Sequence, residues 1–262
     1  MPEGDIVWLT AQRLHRALAG RTLTGSDFRV PRLATTDLRG REVREALARG
    51  KHLLIRVEGD LTVHTHLRMD GSWRIRRPGR VPPDHRLRLV LANTEWQALG
   101  YSLGVVELVR TSGEDRVVGH LGPDLLGPDW DPAEAVRLLR ERPERAIGEA
   151  LLDQTRLAGI GNLYKAEVLF LRGVHPWRPT GDVPDLEELV ELARRILDTN
   201  RARYSQITTG ADQRGREHWV YGRAGRPCRR CGTLIERAGQ GPGPYDRITF
   251  WCPRCQPAAP VL

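Results

Sequence analysis

The sequence predicts an α+β chain whose character changes along its length. A helix packed on a β-sandwich or barrel comes first, then a set of helices, then a basic hairpin held by metal. Three observations carry this. Apolar residues pass from helical spacing to strand-like alternation after the first twenty residues, and return to helical spacing after residue 132. All four cysteines fall in the last 35 residues, as two CxxC pairs. The 262 residues are 40 % hydrophobic and 28 % charged, a globular composition that excludes a wholly disordered chain.

Length allows one large domain or two to three small ones, at roughly 100–200 residues each. No apolar run approaches the roughly 18 residues of a membrane span, and the acidic opening Met-Pro-Glu-Gly-Asp is not a signal peptide. A cytoplasmic protein with reduced cysteines is expected, unless a metal holds them. Lys and Arg number 41 against 33 acids, for a net charge of +8. Only Lys51 and Lys165 are lysines. Wholesale arginine is most simply a coding bias, so the informative cations are the two lysines. Lysine is retained over arginine where a compact or deprotonable amine is needed, although Lys165 reads as part of an ordinary helix.

Residues 3–18 form the first predicted helix, with Ile6, Leu9, Leu14, Ala17 and Leu18 near helical spacing. Alternation then marks half-buried strands: Trp73 and Ile75 against Arg74 and Arg76, Leu87 and Leu89 against Arg86 and Arg88. The Pro- and Gly-rich stretch 122–132 reads as a linker. Helices follow over 133–141, 146–154, 163–172 and 186–204. The second and third are joined by a Gly-rich turn ending in Asn162, read as the helix cap. Residues 200–262 hold eleven Arg against four acids and six of the fifteen aromatics, Tyr245 among them.

The cysteines are the strongest local signal. Cys228 and Cys231 are separated by twenty residues from Cys252 and Cys255. Two CxxC knuckles at this spacing match one structural zinc ion in a Cys₄ site, with no catalytic metal. Two disulfides and a redox CxxC are the weaker readings. Between the knuckles, flexible residues lead into a strand carrying Arg247. A basic hairpin beside a Gly-rich turn at a helix N-terminus points to phosphate backbones.

The chain start carries the candidate chemistry. Removal of Met1 leaves Pro2 as a secondary amine, which titrates near 8 and can attack a sugar C1′ to form an iminium. Glu3 is placed to protonate a departing base. Pro followed by Glu is also an ordinary helix start.

Five segments shift that balance: Pro2-Glu3-Gly4, Gly50-Lys51-His-Leu-Leu, His66-Leu-Arg-Met-Asp-Gly71, the run from Leu151 to Gly159-Ile-Gly-Asn162, and the run from Pro227-Cys to Cys-Gln256. Collinear over essentially the whole chain, they resemble the formamidopyrimidine-DNA glycosylase / endonuclease VIII family. The resemblance implies a helix plus β-sandwich catalytic domain over 1–121, a linker over 122–132, a helix–two-turn–helix DNA-binding domain over 133–218, and a zinc finger over 219–262. It implies a bifunctional glycosylase and abasic-site lyase that excises oxidised bases. Pro2 would be the Schiff-base nucleophile and Glu3 the proton donor. Lys51 would assist β-elimination and Arg247 would grip phosphate and promote δ-elimination. Asn162, Arg68 and His120 would contact DNA, and Met69 would wedge into the stack vacated by the extruded nucleotide. The segment 100–109 lacks the Arg-Arg-Phe loop of formamidopyrimidine glycosylases. With the approach to the finger over 218–227, this favours the endonuclease VIII branch and oxidised pyrimidines. The expected partner is damaged DNA, met by a monomer in the cytoplasm at the nucleoid. The rival is a non-catalytic zinc-containing DNA-binding regulator or damage sensor. It fits the finger and the turn equally well but leaves Pro2, Glu3 and Lys51 unexplained. His64 and His66 share a strand face without a third metal ligand, and Glu149 and Asp153 read as solvated or capping. Trp73, Trp96 and Trp130 read as core.

Overall fold

A computed structural model describes residues 2–81, 83–241 and 247–258. The chain divides into two compact units, 1–120 and 121–262.

In the first unit, helix α1 (Gly4–Leu18) begins at an extended Glu3 and buries Val7, Ala11, Leu14 and Leu18 along one stripe. Among the described residues nine strands follow: β1 (Arg21–Thr22), β2 (Gly25–Phe28), β3 (Glu42–Arg49), β4 (His52–Val57), β5 (Leu61–His66), β6 (Ser72–Arg76), β7 (Leu87–Ala92), β8 (Gln97–Tyr101) and β9 (Val105–Arg110). They form two antiparallel sheets, ordered β1-β3-β4-β5-β9 and β2-β7-β8-β6. One core joins the helix to both sheets, through Leu14 and Leu18, Leu53, Ile55 and Val63, and Leu89, Leu91 and Trp73. This is the expected helix-on-sandwich. Leu87 departs from its expected face. A register shift between Leu87 and Leu89 breaks the two-residue period, so Leu87 joins Val90 and Leu99 in a separate cluster. Trp73 is buried, whereas Trp96 is half-buried beneath the Arg77 guanidinium and Trp130 donates to Glu191. The short α2 (Asp115–Val118) ends the unit.

The second unit is built on α3 (Pro132–Arg140), α4 (Ile147–Ala150), α5 (Asn162–Leu171) and α6 (Leu186–Asn200). Asp131 caps α3 by accepting from the amides of Ala133 and Glu134, with Pro132 in the first turn. The segment read as a linker is folded into this unit. Leu125 is fully buried in its core, and Asp124 bridges to Ala158, so the prolines and glycines shape turns around a core leucine. The helix expected over 146–154 stops at Ala150, because Asp153 turns the chain by accepting from the amide and hydroxyl of Thr155. The last helix ends at Asn200, four residues before Tyr204. The Asn200 side chain bonds the backbone of Ile196 and both backbone groups of Ile207, folding the chain back. Strands β10 (Glu236–Gln240) and β11 (Arg247–Trp251) pair as an antiparallel hairpin, from Glu236 opposite Trp251 to Gln240 opposite Arg247. The segment 242–246, expected from the sequence as a flexible lead into β11 and containing Tyr245, and Met1 lie outside the described residues. Among those described, no helix is long and apolar enough to cross a membrane.

Candidate nucleic-acid interface and metal centre

In the first unit, Pro2 is half-buried and the adjoining Glu3 fully buried, immediately ahead of α1. The Glu3 carbonyl accepts from the Val7 amide and so opens the helix. Lys51 sits in the two-residue turn between β3 and β4, which Arg49 and His52 close. Gly50 takes φ +56 there, the left-handed position that suits glycine in such a turn.

Beside this turn lies a feature the sequence did not announce. A carboxylate only accepts, so His64 Nδ1 donates to Glu107 at 3.0 Å. On its other side, His64 Nε2 shares a hydrogen bond with His52 Nδ1 at 2.8 Å. His66 and His120 also face the His52 ring, at centroid distances of 4.9 and 6.1 Å. Burial, then the neighbouring imidazoles and Arg68, pushes His52 down to about 3; burial, Arg68 and Lys51 push His66 down to about 4. The Arg68 amide donates to His66 Nδ1 at 2.9 Å, which leaves the neutral ring's proton on Nε2. Among the described residues these imidazoles form no metal-holding group. The sequence shows only that His64 and His66 share a strand face. The missing signal was that strand pairing brings His52 opposite His66 and Glu107 opposite His64.

Arg68 is exposed in a left-handed conformation at φ +53, and Met69 beside it is 55 % exposed, an unusual setting for a large apolar side chain. Gly104 makes room for Arg68, whose Cγ lies 2.2 Å from where a Cβ would stand. Only residues 102–104 connect β8 to β9. His120 is exposed at the end of the unit.

In the second unit, Gly161 occupies the N-cap of α5 and Asn162 is its first helical residue, correcting the reading of Asn162 as the cap. Its Nδ2 donates to the Ile248 carbonyl at 2.8 Å, and its buried Oδ1 has no hydrogen-bond partner among the described residues. The side chain therefore ties the turn to β11. Helix α5 is buried on every side, and Lys165 in its interior is fully buried. Its Nζ lies 2.6 Å from Thr249 Oγ1 and 3.4 Å from Gln240 Oε1. Glu167, equally buried, accepts from the amides of Trp219, Val220 and Tyr221 and from the Thr208 hydroxyl, anchoring the segment that leads to the first knuckle.

The four cysteines converge, with every Sγ within 4.8 Å of the others. Cys228 and Cys255 sulfurs are 3.9 Å apart, and those of Cys231 and Cys252 3.5 Å. Zn–S bonds of about 2.3 Å in a tetrahedron require S···S edges of about 3.8 Å, so the donor set fits. Amides of Arg230 and Cys255 donate to the sulfurs of Cys228 and Cys252, each at 3.4 Å. Hydrogen bonds from Thr233 hold Cys231 down to about 6, whereas burial and neighbouring sulfurs push Cys255 up to about 12. A dication held by the four sulfurs would relieve that conflict by favouring the thiolate at every position. Phe170 of α5, Val220, Ile235 and the two buried cysteines form the local core. Arg247 is exposed at the last described rung of the hairpin.

Residues 1–101 match the family model of the formamidopyrimidine-DNA glycosylase N-terminal domain, and residues 121–206 that of the formamidopyrimidine-DNA glycosylase H2TH domain. The chain belongs to the formamidopyrimidine-DNA glycosylase / endonuclease VIII family. It is 58 % identical to a Streptomyces coelicolor protein named "Probable endonuclease 8 2", covering 98 % of this chain and 94 % of the relative. It is 48 % identical to the "DNA-(apurinic or apyrimidinic site) lyase Nei2" of Mycolicibacterium smegmatis, covering 99 % and 100 %. Among solved structures, the Lactococcus lactis Fpg bound to DNA containing N7-benzyl-Fapy-dG superposes with a TM-score of 0.82 at 27 % identity, covering 98 % of this chain and all of that one. The relatives place the chain in the endonuclease VIII branch of the family, a DNA glycosylase and abasic-site lyase of base excision repair.

Proposed function

We propose that this endonuclease VIII-type enzyme excises oxidised pyrimidines through a Schiff base on Pro2 and then nicks the strand by β,δ-elimination. The burial of Glu3 beside Pro2 carries the reading. It sets a carboxyl group, held out of water, directly beside the amine. Once Met1 is removed, the Pro2 nitrogen attacks C1′ while Glu3 gives its proton to the departing base. The attached nitrogen loses its proton and the C1′–O4′ bond opens with a proton passing to O4′, giving an iminium that acts as electron sink. Loss of a C2′ proton expels the 3′ phosphate, and loss of a C4′ proton expels the 5′ phosphate. Lys51 and Arg247 grip phosphates for the two eliminations, Asn162, Arg68 and His120 contact the backbone, and Met69 fills the gap left by the extruded nucleotide.

Cys228, Cys231, Cys252 and Cys255 would hold one zinc ion. With all four positions taken by protein, it supplies folding energy and no water activation. On this reading the enzyme works as a monomer in the cytoplasm, drawn to the nucleoid by its net charge of +8. The three-residue connection after β8 supports pyrimidine substrates, since no loop is present to inspect a base opposite 8-oxoguanine. Duplexes carrying thymine glycol, dihydrouracil or 8-oxoguanine opposite cytosine test the preference. Faster excision of the two pyrimidines is expected, and faster excision of 8-oxoguanine would overturn it.

A further inference from the structure

The second lysine of this arginine-rich chain is buried at the root of the zinc hairpin. We infer that Lys165 is the positioning residue for Arg247: its ammonium locks the last rung of the hairpin to α5 and thereby aims the exposed guanidinium. The inference rests on the phosphate-gripping and δ-elimination role proposed for Arg247.

Four elements meet at this point. Lys165 Nζ donates to Thr249 Oγ1 at 2.6 Å and to Gln240 Oε1 at 3.4 Å. The Thr249 hydroxyl donates onward to the same Gln240 oxygen at 2.9 Å, and Gln240 Nε2 donates to the Pro176 carbonyl at 2.8 Å. Lys165, Gln240 and Thr249 are all buried. Gln240 is the direct cross-strand partner of Arg247, and Thr249 follows Arg247 by two residues on the same face of β11. Gly148 of α4 admits the arrangement, because a Cβ there would stand 2.3 Å from Gln240 Oε1. Asn162 adds a second tie, from the first residue of α5 to the Ile248 carbonyl.

The chemistry explains why a lysine stands here. Each ammonium donor needs one acceptor in a narrow space between helix and hairpin, and a planar guanidinium fork does not fit that shape. Burying an ammonium is expensive, so a charge at this place returns little as stability against a well-packed apolar side chain. What it contributes is a fixed geometry, by joining two strands and a helix through one charged donor. A misplacement of about 1 Å in a group that grips a reacting phosphate costs on the order of a hundredfold in rate. Arg247 leaves the sheet at the rung that Lys165 holds.

The test uses the full-length, zinc-loaded protein on an oligonucleotide with a preformed abasic site. Lys165→Met is compared with Arg247→Ala, the double variant and the parent. Zinc content, borohydride trapping and the ratio of δ- to β-elimination product are read for each. Lys165→Met should keep its zinc and its trapping yield, yet lower the δ-to-β ratio by about tenfold or more. The salt slope of DNA binding should fall by about one in Arg247→Ala and again be reduced in Lys165→Met. The double variant should be no worse than Arg247→Ala, since one residue acts through the other. If Lys165→Met does not hold zinc, Thr249→Val keeps the side-chain shape, removes the 2.6 Å acceptor and should shift the ratio in the same direction. A parental ratio in Lys165→Met or Thr249→Val beside a lowered ratio in Arg247→Ala overturns the positioning role alone. A parental ratio in Arg247→Ala overturns the reading of Arg247 and this inference with it.

Discussion

Glu3 and the histidines around Lys51 carry the sharpest consequences at the scale of single residues. Glu3→Gln keeps the shape and the hydrogen-bonding capacity of the buried side chain but cannot supply an acidic proton. Base excision should fall by about 10²–10⁴-fold, while strand nicking at a preformed abasic site is largely retained. Equal loss of the two activities, measured on a lesion duplex and an abasic duplex, contradicts the proton-donor role. His52 and His66 sit near 3 and 4 in the folded protein, both depressed chiefly by burial, against about 6.5 in an unfolded chain. Between those values the unfolded state binds more protons. Stability is therefore complete above about pH 6.5 and declines as the pH falls toward 4. His52→Gln should weaken that decline. Denaturant midpoints at pH 7.5 and 5.0 check it, and an equal fall in parent and variant speaks against the histidine origin.

Residue identity alone revealed part of this. Pro2, Glu3 and the cysteines were legible because adjacency and spacing hold their meaning locally. Lys165 was not, because its burial is made by Gln240 and Thr249, more than seventy residues away in sequence. The His52–His64–Glu107 chain was hidden for the same reason, since it exists only across three paired strands.

At the scale of elements, local chemistry set the ends of segments more than their periodicity did. The α1 stripe and the Asp131-Pro132 start of α3 follow from spacing and capping. The long helices expected over 146–154 and 186–204 are shortened by side-chain turns at Asp153 and Asn200, which compete for backbone groups that further helix would have used. The segment 122–132 shows that Pro and Gly density marks turns without distinguishing a spacer from a folded loop. Leu125 at zero exposure decides that case. The hairpin is the element that the proposed zinc ion would stabilise most. Its two five-residue strands are too few to be stable alone, and the core beside the knuckles is small. Chelation should speed amide exchange in β10, β11 and both knuckles, leaving the sandwich strands protected. Unchanged protection of β10 and β11 after metal loss, followed by hydrogen-exchange mass spectrometry, contradicts the structural role of zinc.

For the whole molecule, the proposed chemistry is divided between two compact units. The first carries Pro2, Glu3 and the Lys51 turn on the sandwich; the second carries Asn162, Arg247 and the four-cysteine site. Family membership rests on both, since one matched segment lies in each. The central claim is that the Pro2 nitrogen becomes bonded to the sugar. Incubating processed protein with an abasic-site oligonucleotide, adding borohydride and mapping the adduct by peptide mass spectrometry measures this directly. An adduct on the peptide that begins with Pro2 is the predicted result. Full lyase activity with the adduct on a lysine, or with none, contradicts it.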